Sequence, residues 1–316
     1  MNNYELYRYK YLNAQTLDLK VPVDISLELS SACSLQCSYC YHSDQSTLPF
    51  KKGFMSLDLA KSIIDQAAIL NVHSIKFNYR GESTLNPNYS LITKHCKNLS
   101  YNSTFIDRLA NSNFFFHPSR RESIFEGLSN LTKVKVSFDS FIPEVFNKQR
   151  TGANFDLVSE NIDLFYNHKS RIRSETKIVI QAVRTLLNKD EDLESEIKRR
   201  WPTALISIRD MVIGRVDKDL SELEHRNRSE ERQSCIQAHA RLIIHHDGKV
   251  GACCPDIKGQ HYLGNTNTES IYDIFNSDKA KKLRSDLLSK KAFDKDPCKS
   301  CSSYESYSGF KPSIDS

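Results

Sequence analysis

Long apolar runs are missing from this 316-residue chain: stretches such as Ile178-Val179-Ile180 and Leu205-Ile206 are far too short to cross a membrane, which takes about 18 consecutive apolar residues as a helix. A membrane segment is not expected. The start, Met1-Asn2-Asn3-Tyr4-Glu5, lacks the basic region and apolar stretch of a secretory signal. With that goes the case for an oxidising compartment and for disulfides, and a cytoplasmic, reducing location is expected. A dense basic block is missing too. The 44 Lys and Arg residues are spread along the chain and leave a net charge of only +5, so support for a nucleic-acid partner is weak. No internal repeat or low-complexity tract is present.

What is present is enough apolar material for a core. At 39% hydrophobic content and 316 residues the chain can form one large domain and a smaller one, on the usual scale of about 100 to 200 residues per domain. Val23 to Leu29 alternates as a strand. Helical patterns near 56–70, 88–99, 120–129, 155–168 and 189–200 then alternate with strand-like runs at Ser74–Tyr79, Thr104–Ala110, Lys133–Phe138, Lys177–Val183 and Leu205–Met211. Alternation of this kind predicts an α/β fold, a partial (β/α)6 TIM-type barrel whose functional loops lie at the C-terminal strand ends. Past about residue 215 the alternation stops and a charged run, Asp217 to Arg232, reads as a solvated helix or linker. The boundary is placed there, giving domains at 1–215 and 216–316, the second a small auxiliary domain with a β-hairpin and a helix.

Nine cysteines in a reducing compartment call for metal chemistry. Cys33-Ser34-Leu35-Gln36-Cys37-Ser38-Tyr39-Cys40 reads C-x3-C-x2-C in the loop after the first strand. Three thiolates suit a [4Fe-4S] cluster with one iron left open to a small molecule, since a cube is usually held by four cysteines. A zinc ion with His42 as fourth ligand is the alternative. Near the other end, Cys235 and Cys253 flank Gly248 as C-x12-G-x4-C, and Cys298-Lys299-Ser300-Cys301 adds C-x2-C. His246-Asp247-Gly248-Lys249-Val250 reads as a hairpin with Asp-Gly at its apex. Four thiolates can close a second cluster or a zinc site. Cys254 competes with Cys253 as a ligand, and the Gly248 spacing favours Cys253. Cys96 stands alone in a helical stretch.

The cysteine loop after a first strand resembles the radical S-adenosylmethionine (SAM) superfamily, and the resemblance covers nearly the whole chain. It implies that Cys33, Cys37 and Cys40 hold a [4Fe-4S] cluster whose open iron binds SAM. One electron then cleaves SAM into methionine and a 5'-deoxyadenosyl radical, which takes a hydrogen from substrate. Tyr39 matches the aromatic residue that shields the cluster and approaches the adenine. Asn78-Tyr79-Arg80-Gly81-Glu82 is similar to the family's glycine-glutamate motif, with Gly81 allowing close backbone approach and Glu82 an acceptor for the SAM ammonium. Ser137-Phe138-Asp139-Ser140 is similar to the stretch that contacts SAM's ribose and carboxylate, which implies Ser137 and Asp139 as SAM contacts. Arg150 matches the arginine beyond that stretch, suited to fork onto a carboxylate. Leu263-Gly264-Asn265 and Ser270 to Phe275 are similar to the turn and helix before the last cysteine pair of SPASM and twitch domains, with twitch the nearer by cysteine count. The resemblance thus implies two [4Fe-4S] clusters and SAM as cofactors, and an external one-electron reductant such as flavodoxin or ferredoxin as partner.

For the reaction, an auxiliary cluster held by Cys235, Cys253, Cys298 and Cys301 suits an electron acceptor, and twitch relatives dehydrogenate an aminocyclitol alcohol. The expected function is hydrogen abstraction from, and oxidation of, a small polar substrate such as a sugar, cyclitol or nucleotide derivative. About twenty residues precede the first strand, leaving little room for a leader-peptide reader. A peptide maturase or epimerase, a nucleic-acid-modifying enzyme and a non-enzymatic zinc or iron-sulfur interaction protein remain as alternatives. Arg209, Asp210, His245 and His246 are candidate proton acceptors by location alone.

Overall fold

The computed structural model describes residues 1–44, 46, 48–101, 105–210, 235–299 and 301. Its centre is a nine-stranded sheet. The strands are β1 (Asp24–Leu27), β2 (Ser74–Lys76), β3 (Asp107–Ser112), β4 (Lys133–Ser137), β5 (Lys177–Arg184), β6 (Leu205–Asp210), β7 (Arg241–Ile244), β8 (Lys249–Gly251) and β9 (Tyr262–Asn265). The helices are α1 (Asn3–Leu12), α2 (Leu57–Ile69), α3 (Tyr89–Leu99), α4 (Arg121–Ser129), α5 (Pro143–Gln149), α6 (Phe155–Arg171), α7 (Leu193–Arg200), α8 (Ile236–Ala240), α9 (Ile271–Asn276) and α10 (Asp278–Leu288).

Neighbours from β1 to β6 pair in parallel and in chain order, each step crossing over a helix. The βα alternation read from the sequence is therefore the partial barrel. The C-terminal hairpin does more than sit beside it. β7 pairs in parallel with the free side of β1, Asp24 opposite Arg241 and Leu27 opposite Ile244, and β8 and β9 continue antiparallel. The expected boundary near residue 215 and the Asp217–Arg232 run lie outside the described residues.

Alternation along each strand decides the two faces. Ile25, Leu27, Ile75, Ala110, Val134, Val136, Ile178 and Ile180 are buried in the core that also holds Ile63, Ile92, Ile124, Val158 and Phe165 of the surrounding helices. The residues between them face the concave side and are mostly polar (Asp24, Ser26, Lys76, Lys133, Lys135), with Leu109 and Val179 apolar among them. Burying a side chain the size of Ile or Phe stabilises by about 1.5 to 3 kcal/mol, so this convex-side core sets the strand register.

Two elements depart from the sequence expectation. α1 falls outside the expected helical patterns, although Asn2 and Glu5 form a reciprocal capping box at its start. Its Tyr7 and Tyr11 pack with Val23, Ile236 and Ala240 into a second small core under the barrel. Leu263-Gly264-Asn265 is strand β9 and not a turn. Gly264 is required there by packing: an added Cβ would lie 2.9 Å from the Ile274 Cγ1 of α9 and 2.9 Å from the Glu269 carboxylate.

Candidate functional site

The cysteine loop leaves β1 at its C-terminal end, as expected, and is pinned from three sides. Gln36 N–H donates to Thr151 O (2.8 Å) and Ser38 N–H to Gln149 O (3.1 Å), so the loop is laced to the segment that ends α5. Glu82 N–H donates to Ala32 O (2.9 Å). Gly81 lets that contact form, because a Cβ there would fall 2.3 Å from Ala32 O and 2.5 Å from Ser30 O. Cys40 N–H donates to Cys37 O (3.0 Å) and closes the turn between the last two cysteines.

All nine cysteines are free thiols. Burial, with the Glu82 carboxylate nearby, pushes the Cys33 thiol up to about 12, and burial pushes Cys37 up to about 11 even beside the Arg150 guanidinium. Thiolates are costly in such a place unless a metal takes the charge, so this donor set fits a cationic cluster. Among the described residues no three His, Cys, Asp or Glu side chains gather around a point that could hold one metal ion. Ligands of a cube each take a different iron and stand farther apart than ligands of a single zinc.

The side chains matched to SAM divide into two groups. Tyr39, Asp139 and Arg150 meet one another. The Tyr39 hydroxyl donates to Asp139, Arg150 Nε lies 2.8 Å from Asp139 Oδ2 without the alignment of a hydrogen bond, and Arg150 Nη1 reaches 4.0 Å from Cys37 Sγ. Asp139 Oδ1 also accepts from Val183 N–H (2.8 Å). Asp139 thus orients Tyr39 and Arg150 under the cysteine loop. Glu82 stands apart: its buried carboxylate accepts from Thr84 Oγ1 (2.8 Å), Thr84 N–H (3.2 Å) and Asn113 N–H (2.7 Å). Burial raises its pKa. These bonds tie β3 to the Gly81 turn, and Asn113 in turn donates to Ser34 Oγ (3.3 Å). Ser137 ends β4 opposite Gln181 and is partly buried.

At the other end, three separate places converge. Cys235 precedes α8, Cys253 lies just past β8, and Cys298 and Cys301 share a turn closed by Cys301 N–H to Cys298 O (3.3 Å). Cys253 lies within electrostatic reach of Cys235 and Cys298, and Cys235 of Cys301. Cys254 turns toward Gln237 Oε1 (3.9 Å). His261, which no sequence motif singles out, places Nε2 3.4 Å from Cys298 Sγ. A lone histidine eight residues beyond Cys253 gives no signal of it.

Between the two cysteine regions lies a buried polar hub, equally unmarked in the sequence. Arg80 forks onto Glu28 (Nε to Oε1 2.5 Å, Nη2 to Oε2 2.7 Å) and donates to Ile257 O (3.3 Å). His246 Nδ1 meets the same carboxylate at 3.0 Å. Burial opposes the Glu28 charge, yet the bonds from Arg80 and His246 outweigh it and hold the carboxyl down at about 2. Burial, with Arg80 beside it, pushes His245 down to about 4, so its neutral Nδ1 accepts from Arg80 Nη2 (3.2 Å). The Arg80 carbonyl meets His42 Nε2 (2.8 Å) and the Tyr41 hydroxyl just past Cys40. His245 and His246 are therefore engaged in joining the two regions. Arg209 is exposed on β6, with Nε donating to Ser207 Oγ (3.2 Å); the side chain of Asp210 lies outside the described residues.

Residues 235–302 match the family model of the SPASM iron-sulfur cluster-binding domain. Among solved structures, BtrN in complex with AdoMet and 2-DOIA is 19% identical at TM-score 0.55, over 89% of this chain and 93% of BtrN. Streptococcus suis SuiB bound to S-adenosylmethionine is 16% identical at TM-score 0.66, over 89% of this chain and 71% of SuiB. The chain shares the fold of these SAM-bound proteins, and its C-terminal segment is the part that matches the iron-sulfur domain model. A third such structure, anSMEcpe with bound AdoMet, is 19% identical at TM-score 0.63, over 90% of this chain and 84% of that one. At these identities the likeness is one of fold. No curated protein matches the chain. No helix among the described residues is long and apolar enough to cross a membrane.

Proposed function

We propose that this chain is a radical SAM enzyme in which Cys33, Cys37 and Cys40 hold a reductive [4Fe-4S] cluster open to SAM, and Cys235, Cys253, Cys298 and Cys301 hold an auxiliary one. The observation that carries the reading is three buried or partly buried thiols on one pinned loop at the C-terminal edge of a partial barrel whose distal segment matches an iron-sulfur domain. When bound, these groups supply the electron that cleaves SAM, the 5'-deoxyadenosyl radical that takes hydrogen, and an acceptor for a second electron. An external reductant of the flavodoxin or ferredoxin kind supplies the first electron.

The chain's own residues position and protect. Arg150, anchored by Asp139, puts a guanidinium beside Cys37, where it stabilises the thiolate and offers an edge to a carboxylate. Tyr39, on the loop itself, is tied to Asp139 and has the Arg150 guanidinium 5.9 Å from its ring centroid. Glu82 acts through Asn113 and Thr84, holding the Gly81 turn against the cysteine loop, and Ser137 lines the same edge. Cys253, within electrostatic reach of Cys235 and Cys298, is taken as the auxiliary ligand, while Cys254, also near Cys235, has its thiol turned to Gln237. Residues 1–215 form the SAM unit and 216–316 the auxiliary unit.

The reaction best supported is oxidation of a small polar molecule, because polar residues such as Ser26, Asn111 and Gln181 outnumber the apolar ones, Leu109 and Val179 among them, on the concave face. A peptide substrate is the second reading, favoured by likeness to SuiB bound to precursor peptide SuiA. Anaerobic reconstitution with iron and sulfide tests the enzyme reading. The expected result is about eight irons per chain and reductant-dependent 5'-deoxyadenosine. Stoichiometric zinc with no 5'-deoxyadenosine contradicts it.

A further inference from the structure

Charge is layered along the concave face of the barrel. At its base Asp24 is fully buried and pairs with Lys76 and with Arg241 (Nε to Oδ1 2.5 Å). Tyr11 of α1 closes this base, with the Arg241 guanidinium 5.8 Å and the Lys76 ammonium 5.9 Å from its ring centroid. These two cations share one carboxylate.

A different situation holds one layer up. Among the described residues the Lys133 and Lys135 side chains of β4 make no hydrogen bond or ion pair, and the Arg209 side chain of β6 has only the neutral Ser207 hydroxyl. The Lys135 ammonium is within electrostatic reach of Arg209, Lys76, Lys133 and Asp107, side chains from β2, β3, β4 and β6. Only a position over the concave face puts one atom near four strands. Burial first, then the three neighbouring cations, push Lys135 down to about 8. Three cations (Lys133, Lys135, Arg209) against one carboxylate (Asp107) leave two positive charges over. The two partly buried lysines repel each other with little water to screen them, and exposed Arg209 adds its charge at their edge, so an anion stabilises the group more than it would a fully exposed patch. Asn111 stands opposite Lys135 in the sheet register and adds a neutral donor beside it.

We propose that the concave face binds a phosphorylated small molecule, with its phosphoryl oxyanion held by Lys135 and Arg209 and flanked by Lys133. A phosphoryl group fits better than a carboxylate because its charge approaches minus two and it has three acceptor oxygens for donors arriving from two strands. The layer lies between the Asp24 base and the C-terminal strand ends that carry the cysteine loop, so the rest of such a molecule extends toward that loop. The proposal rests on the radical SAM reading for what is done to the substrate, but not for its binding.

Calorimetric titration of the iron-loaded full chain with inorganic phosphate, at fixed ionic strength in a phosphate-free buffer, tests it. One phosphate per chain is expected, with affinity lowered about tenfold or more in both Lys135→Gln and Arg209→Gln, and largely kept in Lys135→Arg. Lys198→Gln, the same charge change on exposed α7, leaves it unchanged. Circular dichroism and iron counts accompany each variant, and exposed Arg209 carries the test if Lys135→Gln does not fold. Absence of phosphate binding, undiminished affinity in the two Gln variants, or tighter binding of succinate than of phosphate overturns the proposal. 5'-Deoxyadenosine formation is measured on the same samples: phosphate binding without it leaves the anion site standing and removes the radical reading, and the converse removes the anion site alone.

Discussion

The two cysteine regions solve similar problems by opposite means. Cys33, Cys37 and Cys40 lie on eight consecutive residues, and their geometry is imposed by a short loop whose backbone is fastened to Glu82, Gln149 and Thr151, with Gly81 giving the room. Cys235, Cys253, Cys298 and Cys301 come from three places spread over 67 residues, and meet only because a hairpin extends the barrel sheet through β7. A local site survives loosening of the distant structure; an assembled one depends on the whole sheet. The hub of Glu28, Arg80, His245 and His246 is where the second region's dependence on the first is concentrated.

Replacing Cys33, Cys37 and Cys40 together by Ala has the largest expected effect. Iron falls to about half of the eight expected and 5'-deoxyadenosine formation is abolished, while far-ultraviolet circular dichroism stays native. A variant that still cleaves SAM would move the reductive site elsewhere.

Breaking the hub comes next. Glu28→Ala leaves the Arg80 guanidinium buried without its carboxylate and is expected to cost about 3 to 5 kcal/mol in denaturant unfolding. The pH dependence has a definite sign. Glu28 lies at about 2 in the folded chain against an ordinary 4.5, so its contribution is fully present above about pH 4.5 and is lost as the pH falls toward 2. Glu28→Gln should flatten that part of the stability profile; an unchanged profile would remove Glu28 from the account.

The SAM contacts sharpen the comparison at smaller scale. Arg150→Ala should weaken SAM binding about tenfold with iron content intact. Glu82→Ala should weaken it too, but through stability, costing about 1 to 3 kcal/mol by stranding the Asn113 and Thr84 donors. Equal SAM affinity in both variants and wild type would show both roles misplaced. The smallest effect is expected at His261. Its contact with Cys298 withdraws charge from that sulfur, so His261→Ala should lower the auxiliary midpoint potential in an anaerobic redox titration while the iron count holds.

Legibility in the sequence tracks the range of the interactions. The βα units and the first cysteine loop are legible because period and spacing are local properties. Gly81 is legible as a point of close approach, but the bond Glu82 accepts from Asn113 is not, since Asn113 sits 31 residues away. The hub joins residues 52 and 165 apart, and no local pattern marks it. Lys133-Val134-Lys135-Val136-Ser137 carries a partial signal: a strand whose inward positions are cationic already says that its concave face is not an apolar core.

The central claim is that the local site does the cleavage and the assembled site serves the later electron transfer. The most direct measurement is iron content together with 5'-deoxyadenosine yield in Cys298→Ala combined with Cys301→Ala, with circular dichroism as the control on folding. The account predicts about half the iron and retained 5'-deoxyadenosine, because the pinned loop does not need the distant thiols. A folded variant that has lost half its iron and also no longer cleaves SAM would contradict it.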